Sequence, residues 1–146
     1  MKTIGMILLT IFLGKSCSNE ARNDIKIAVL QYSAHTRGFH LKIIVNNQTA
    51  TISKGRTPDS MTQTQMKISD SDWNELIALF EKTNLEAFPT LKDPTQKRHY
   101  DGAAIADLKV RYQDKNYETV NFDHGFPPAE IENLVKKIVA LADEKE

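Results

Sequence analysis

Apolar positions along this chain switch between a period of two and a period near 3.6, and the switches lay out its elements. IKIAVLQYS (25–33) is a β-rich apolar run, read as a strand with one buried face. SAHTRG follows as a turn, with Gly38 as its flexible position. In FHLKIIVNNQTATIS (39–53), Phe39, Leu41, Ile43 and Val45 alternate on one face. Asn46-Asn47 suits the positive φ of a two-residue hairpin turn. That register sets Ile43 opposite Ala50 and Leu41 opposite Ile52, so apolar residues meet on one side. KGRTPDS loops out, and MTQTQMKI (61–68) carries a weaker pattern that fits an optional fourth strand.

The period then lengthens. In ISDSDWNELIALFEKTN, Ser69 with Asp72 forms a near-capping box, and Trp73, Leu76, Ile77 and Phe80 fall at helical spacing. The pattern predicts an amphipathic helix that ends by Asn84 and lays its Trp-bearing stripe on a sheet. LEAFPTLKDPTQKRHYDG is a long connection with two prolines, a kind of segment often functional. GAAIADLKVRYQDKNYETVNFD (102–123) returns to strand periodicity as a second hairpin. A two-residue turn at Asp114-Lys115 would set Val110 against Thr119 and Leu108 against Asn121. A three-residue loop of Asp114, Lys115 and Asn116 instead sets Val110 against Val120 and Leu108 against Phe122, gathering the apolar set on one face. PAEIENLVKKIVALA closes the chain as a helix with Ile131, Leu134, Val135, Ile138 and Leu141 as its stripe.

The expected fold is therefore α+β: an antiparallel sheet of five to six strands, in the order βββ(β)αββα, with two helices packed on one face. Residues 25–146 are enough for one hydrophobic core and form a single domain.

The N-terminus follows different rules. MKTIGMILLTIFLGKSC has one Lys, then a brief apolar stretch too short to span a bilayer, then small residues. This predicts a signal peptide over 1–16, cut so that Cys17 comes first. Gly14, Lys15 and Ser16 precede it, a looser version of the lipobox at which bacterial lipoproteins are acylated. Cys17 is the only cysteine, so no disulfide framework is available to an exported chain. A lipid anchor accounts for that single position, because stable attachment needs more than one acyl chain. Residues 17–24 then read as the lipidated Cys and a polar tether.

Charge changes the picture little. The whole chain is balanced at 19 basic and 19 acidic residues. Loss of Lys2 and Lys15 with the signal peptide leaves 17 against 19, a net of −2. No basic field remains for nucleic acid.

Candidate chemistry gathers at one place. The second hairpin's expected register sets Ala106 opposite His124 and Ala104 opposite Phe126, which brings RHYDG (98–102) beside FDHGFPP (122–128). Arg98, His99, Tyr100, Asp101, Asp123 and His124 then share one sheet edge. Two His and two Asp could ligate a divalent metal or act as an acid–base pair. Equally, Asp beside Gly is ordinary turn chemistry, with Asp123 capping amides near Gly125 and the last helix. The spacing matches no zinc signature, nucleophile elbow or phosphate loop, so no metal, cofactor or catalytic residue is assigned.

SAHTRGFH, YDGAAIA and FDHGFPPAEI together resemble segments of a small lipoprotein family of the Bacteroidota, chiefly flavobacterial. The resemblance covers most of the chain and implies export and anchoring; it carries over no catalytic residue. The expected function is a non-enzymatic envelope lipoprotein, held to the membrane by its N-terminal lipid, whose uncovered sheet face or loop edge binds another envelope component. That face is expected to carry Ile105, Lys109, Arg111 and Thr119. The competing class is a small metal-assisted hydrolase at the RHYDG/FDHG edge.

Overall fold

The computed structural model describes residues 24–143. The expected signal peptide, Cys17 and all of the tether but Asp24 lie outside the described residues. A seven-stranded antiparallel sheet carries the fold. Its strands are β1 (Val29–Thr36), β2 (Phe39–Asn46), β3 (Thr49–Gly55), β4 (Thr62–Lys67), β5 (Ile105–Tyr112), β6 (Lys115–Glu118) and β7 (Phe122–Asp123). They lie in the order β4-β3-β2-β1-β5-β6, with β7 also pairing with β5. The two helices packed on the sheet are α1 (Asp70–Glu81) and α2 (Glu132–Asp143). Among the described residues no helix is long and apolar enough to cross a membrane.

Alternation decides which sheet face is buried. Leu30, Tyr32 and Ala34 of β1, Leu41, Ile43 and Val45 of β2, Ala50 and Ile52 of β3, and Ala106, Leu108 and Val110 of β5 all point into one core. The helix stripes meet them: Trp73, Leu76, Ile77 and Phe80 from α1, and Leu134, Val135, Ile138 and Leu141 from α2, with Ile131 just before it. Ser69 caps α1 by accepting from the Asp72 amide at 3.2 Å, while its hydroxyl donates to the Asp72 carboxylate at 2.7 Å. Lys137 of α2 pairs with Asp72 and Glu75 of α1, tying the helices side by side. From β3, Lys54 donates to the Ala142 carbonyl near the end of α2, a cation at the end of the helix where carbonyls lack partners.

The expected layout is corrected in its details. Residues 24–27 are helical, with Ile25 buried and Ile27 exposed, so the first strand begins at Val29 rather than Ile25. The first hairpin turns at Asn47-Gln48, both at positive φ, not at Asn46-Asn47. This sets Ile43 opposite Ile52 and Val45 opposite Ala50, and leaves Leu41 opposite Lys54. Gln48 holds the turn by donating to the Ile68 carbonyl and to Asp70, which joins it to the start of α1. The apolar face is the same in both registers, because they differ by two positions.

The second hairpin departs further. It turns at Gln113-Asp114, with φ of 50° and 60°, so Val110 faces Tyr117 rather than Val120. Tyr117 packs against the core and reaches Glu86 in the 3-10 segment Leu85–Thr90. Thr119 then lies buried opposite Leu108, exchanging backbone and side-chain bonds with it, instead of standing on the open face. One extra residue enters before Phe122, which pairs with Ala106 instead of Leu108. This bulge flips the parity of the strand, so Tyr117 and Phe122 both reach the core side. It also splits one expected strand into β6 and β7, giving seven strands where five to six were expected.

Candidate functional site

Asp123 pairs with Ile105, so its side chain leaves the sheet on the side away from the helices, where the segment 93–98 covers it. The Asp123 carboxylate is 0 % exposed. It accepts from the Thr95 hydroxyl at 2.6 Å, from the amides of Lys97 and Arg98 at 2.6 and 3.1 Å, and from the Arg98 guanidinium at 3.0 Å. Arg98 also pairs with Asp93. Burial alone would raise the Asp123 pKa. The bonds from Thr95, Arg98 and Lys97 outweigh it and hold the carboxyl down at about 2. The group is thus an ionised clamp on the long connection. Its side chain bonds to residues 95–98, and not to amides around Gly125 as the turn reading expected; there only the Asp123 carbonyl takes part, accepting from the Phe126 amide.

The other residues of the predicted cluster are divided. Arg98 joins Asp123. His99 and Asp101 are exposed on the following turn, and Tyr100 is 71 % exposed. His124, one residue after Asp123, turns to the helix side, as successive residues of an extended chain do. Its Nδ1 lies 2.7 Å from the Tyr32 hydroxyl, and its ring lies 5.5 Å from that of Phe39. Ala104 accepts from the His124 amide, a register set by the bulge, whereas the expected pairing had placed Ala106 opposite His124. Among the described residues no three His, Cys, Asp or Glu side chains come together as a metal site.

The sheet face away from the helices carries a second set of groups. Register places Ser53, Lys42, Ser33 and Asp107 in one row across β3, β2, β1 and β5. Thr51, Ile44, Gln31, Lys109 and Glu118 form the next row. His35 and His40 stack in a third, with ring centroids 6.0 Å apart. A shallow depression of about 370 Å³ opens beside them, lined by Val29, Gln31, Lys109, Arg111, Asn116 and Glu118 among others.

One group on this face is out of balance. Asp107 is 16 % exposed, its Oδ2 is buried, and that oxygen has no hydrogen-bond partner. The Lys109 ammonium lies 3.8 Å away. Burial pushes the Asp107 carboxyl up; the Lys109 and His35 charges only partly offset it, and Glu118 adds to it. Sequence reasoning singled out neither Asp107 nor Tyr32. Asp107 occupies an ordinary polar slot in an alternating strand, and Tyr32 reads as core; their surroundings arise from strand pairing between distant segments.

No family model matches the chain, and no curated protein matches it.

Proposed function

We propose that this chain is a cell-envelope lipoprotein, anchored through acylated Cys17, whose domain is a non-enzymatic binding or inhibitor-like module that docks an envelope protein on its open sheet face. The likeness to a Bacteroidota lipoprotein family belongs to the same proposal. Asp107 is the observation that carries the docking. A buried carboxylate oxygen without a hydrogen-bond donor costs about 1–3 kcal/mol, and within the fold the Lys109 ammonium at 3.8 Å offsets it only in part. A partner that brings an Arg or Lys side chain or a backbone N–H to this row would relieve that cost on binding. The neighbouring Ser33, Ser53, Gln31 and Thr51 are hydrogen-bonding groups interleaved with the charges of Lys42, Lys109 and Glu118 on a broad surface, the mixed polar character of a protein interface.

The test is co-purification from detergent-solubilised native envelope, with the wild-type chain and Asp107→Asn compared side by side. Reduced recovery of a discrete partner with the Asn variant is expected. Equal recovery from both chains would remove Asp107 from the interface and the docking proposal with it.

A further inference from the structure

A second cavity lies on the opposite side of the sheet, beneath the end of α2. Its volume is about 170 Å³, and Pro127, Val135, Val139 and Ala140 supply apolar walls. Tyr32 and His124 form its polar end, and Lys136 and Asp143 stand at its rim.

We propose that this cavity is a binding site for a small neutral ligand made of one benzene-sized apolar group joined to a hydrogen-bond acceptor, such as an aryl ketone or aldehyde.

Size sets the apolar half. A cavity of roughly 150 Å³ lined by aliphatic side chains holds a benzene ring in another protein; this one, at about 170 Å³ and open to solvent on one side, has room for a ring with its substituent at the mouth. The Tyr32–His124 pair sets the acceptor. Tyr32 is 0 % exposed. Burial first, then the Asp107 charge, pushes its hydroxyl pKa up, so the phenol keeps its proton. Burial pushes the His124 pKa down, with Asp143 acting the other way, so the imidazole is neutral at neutral pH. The two groups lie 2.7 Å apart, and the phenol, the stronger acid of the two, is assigned as the donor to Nδ1. The ring's hydrogen then resides on Nε2, and His124 offers the ligand a donor.

Charge sets the neutrality. The rim carries one cation and one anion, and Lys136 is also paired with Glu132, so the surplus charge is negative and disfavours a carboxylate. An ammonium would set its N–H groups against the His124 donor. Stability does not demand the pair either: replacing both partners of a buried hydrogen bond by apolar groups of similar shape is often nearly neutral.

The experiment uses the full chain and two probes of nearly equal shape, acetophenone and α-methylstyrene, which has CH₂ where the ketone has oxygen. Binding is followed by NMR through the Val135 and Val139 methyl groups and the His124 imidazole. Saturable shifts with both probes are expected, with acetophenone tighter by roughly fivefold, the worth of one net hydrogen bond. The Tyr32→Phe, His124→Phe double variant should keep binding and erase that preference. Val139→Phe should fill the cavity and abolish both titrations while leaving the remaining spectrum folded. No shift at Val135 and Val139 up to probe saturation, equal affinities in the wild type, or titrations indifferent to Val139→Phe would each overturn the proposal.

Discussion

Asp123→Asn is expected to be among the most damaging changes of a single polar group in this domain, and its size follows from the clamp. The carboxylate is fully buried and receives bonds from Thr95, the Lys97 and Arg98 amides and the Arg98 side chain. Holding its pKa at about 2 against the ordinary 3.8 is worth about 2 kcal/mol at neutral pH, at roughly 1.4 kcal/mol for each pH unit. The Asn amide keeps one acceptor oxygen but presents N–H groups to the remaining donors. It also leaves Arg98, whose side chain is only 13 % exposed, with Asp93 and the Thr95 carbonyl. Breaking a buried pair from one side costs about 3–5 kcal/mol; partial exposure of Arg98 places the expected loss near 3 kcal/mol. Urea denaturation at pH 7 measures it. The pH dependence supplies a second reading. Because the folded pKa is depressed, this stability is fully present above about pH 4 and is lost as the pH falls through about 2. Wild type should therefore weaken steeply across that window, and Asp123→Asn less steeply. A loss under about 0.5 kcal/mol at pH 7, with parallel pH profiles, would refute the clamp.

Three further outcomes follow from the same structure. Trp73→Ala should lower stability by about 3–5 kcal/mol, because Trp73 is 5 % exposed within the helix–sheet core; an unchanged melting temperature would mean the indole contributes no packing. Asp107→Asn should stabilise the free domain by about 1 kcal/mol at pH 7, and that gain should shrink on acidification as the wild-type carboxyl, with its raised pKa, takes up its proton; a destabilised variant in thermal melts would mean the charge has a partner in solution. Cys17→Ser should move the protein from the membrane to the soluble fraction with its melting temperature intact, and wild-type protein found unacylated by mass spectrometry would end the anchor proposal.

The helices were legible because each stripe repeats over several turns: all of Trp73, Leu76, Ile77 and Phe80, and all of Ile131, Leu134, Val135, Ile138 and Leu141, are buried as spaced. Strand faces were legible in the first hairpin for the same reason, since a shift of two positions keeps every side chain on its face. Turns were not. Gln48, Gln113 and Asp114 adopt positive φ without glycine, and only cross-strand and capping contacts such as those of Gln48 with Ile68 and Asp70 reveal why. The bulge between Thr119 and Phe122 was also hidden, because one inserted residue leaves alternation intact on either side. It decided the candidate site. By shifting β7 against β5, it sent Asp123 under the 93–98 segment and His124 to Tyr32, 92 residues away in sequence. Asp107 could be recognised only once its neighbours were in place.

Docking on the open sheet face is tested most directly by residue-resolved cross-linking in intact cells. A photoreactive amino acid is placed singly at Gln31 or Lys42 on that face, and at Glu81 or Asn133 on the exposed side of a helix. Adducts of one discrete mass from Gln31 and Lys42, absent from Glu81 and Asn133, are expected. Adducts confined to the helix positions, or none at either open-face position, would contradict the docking surface.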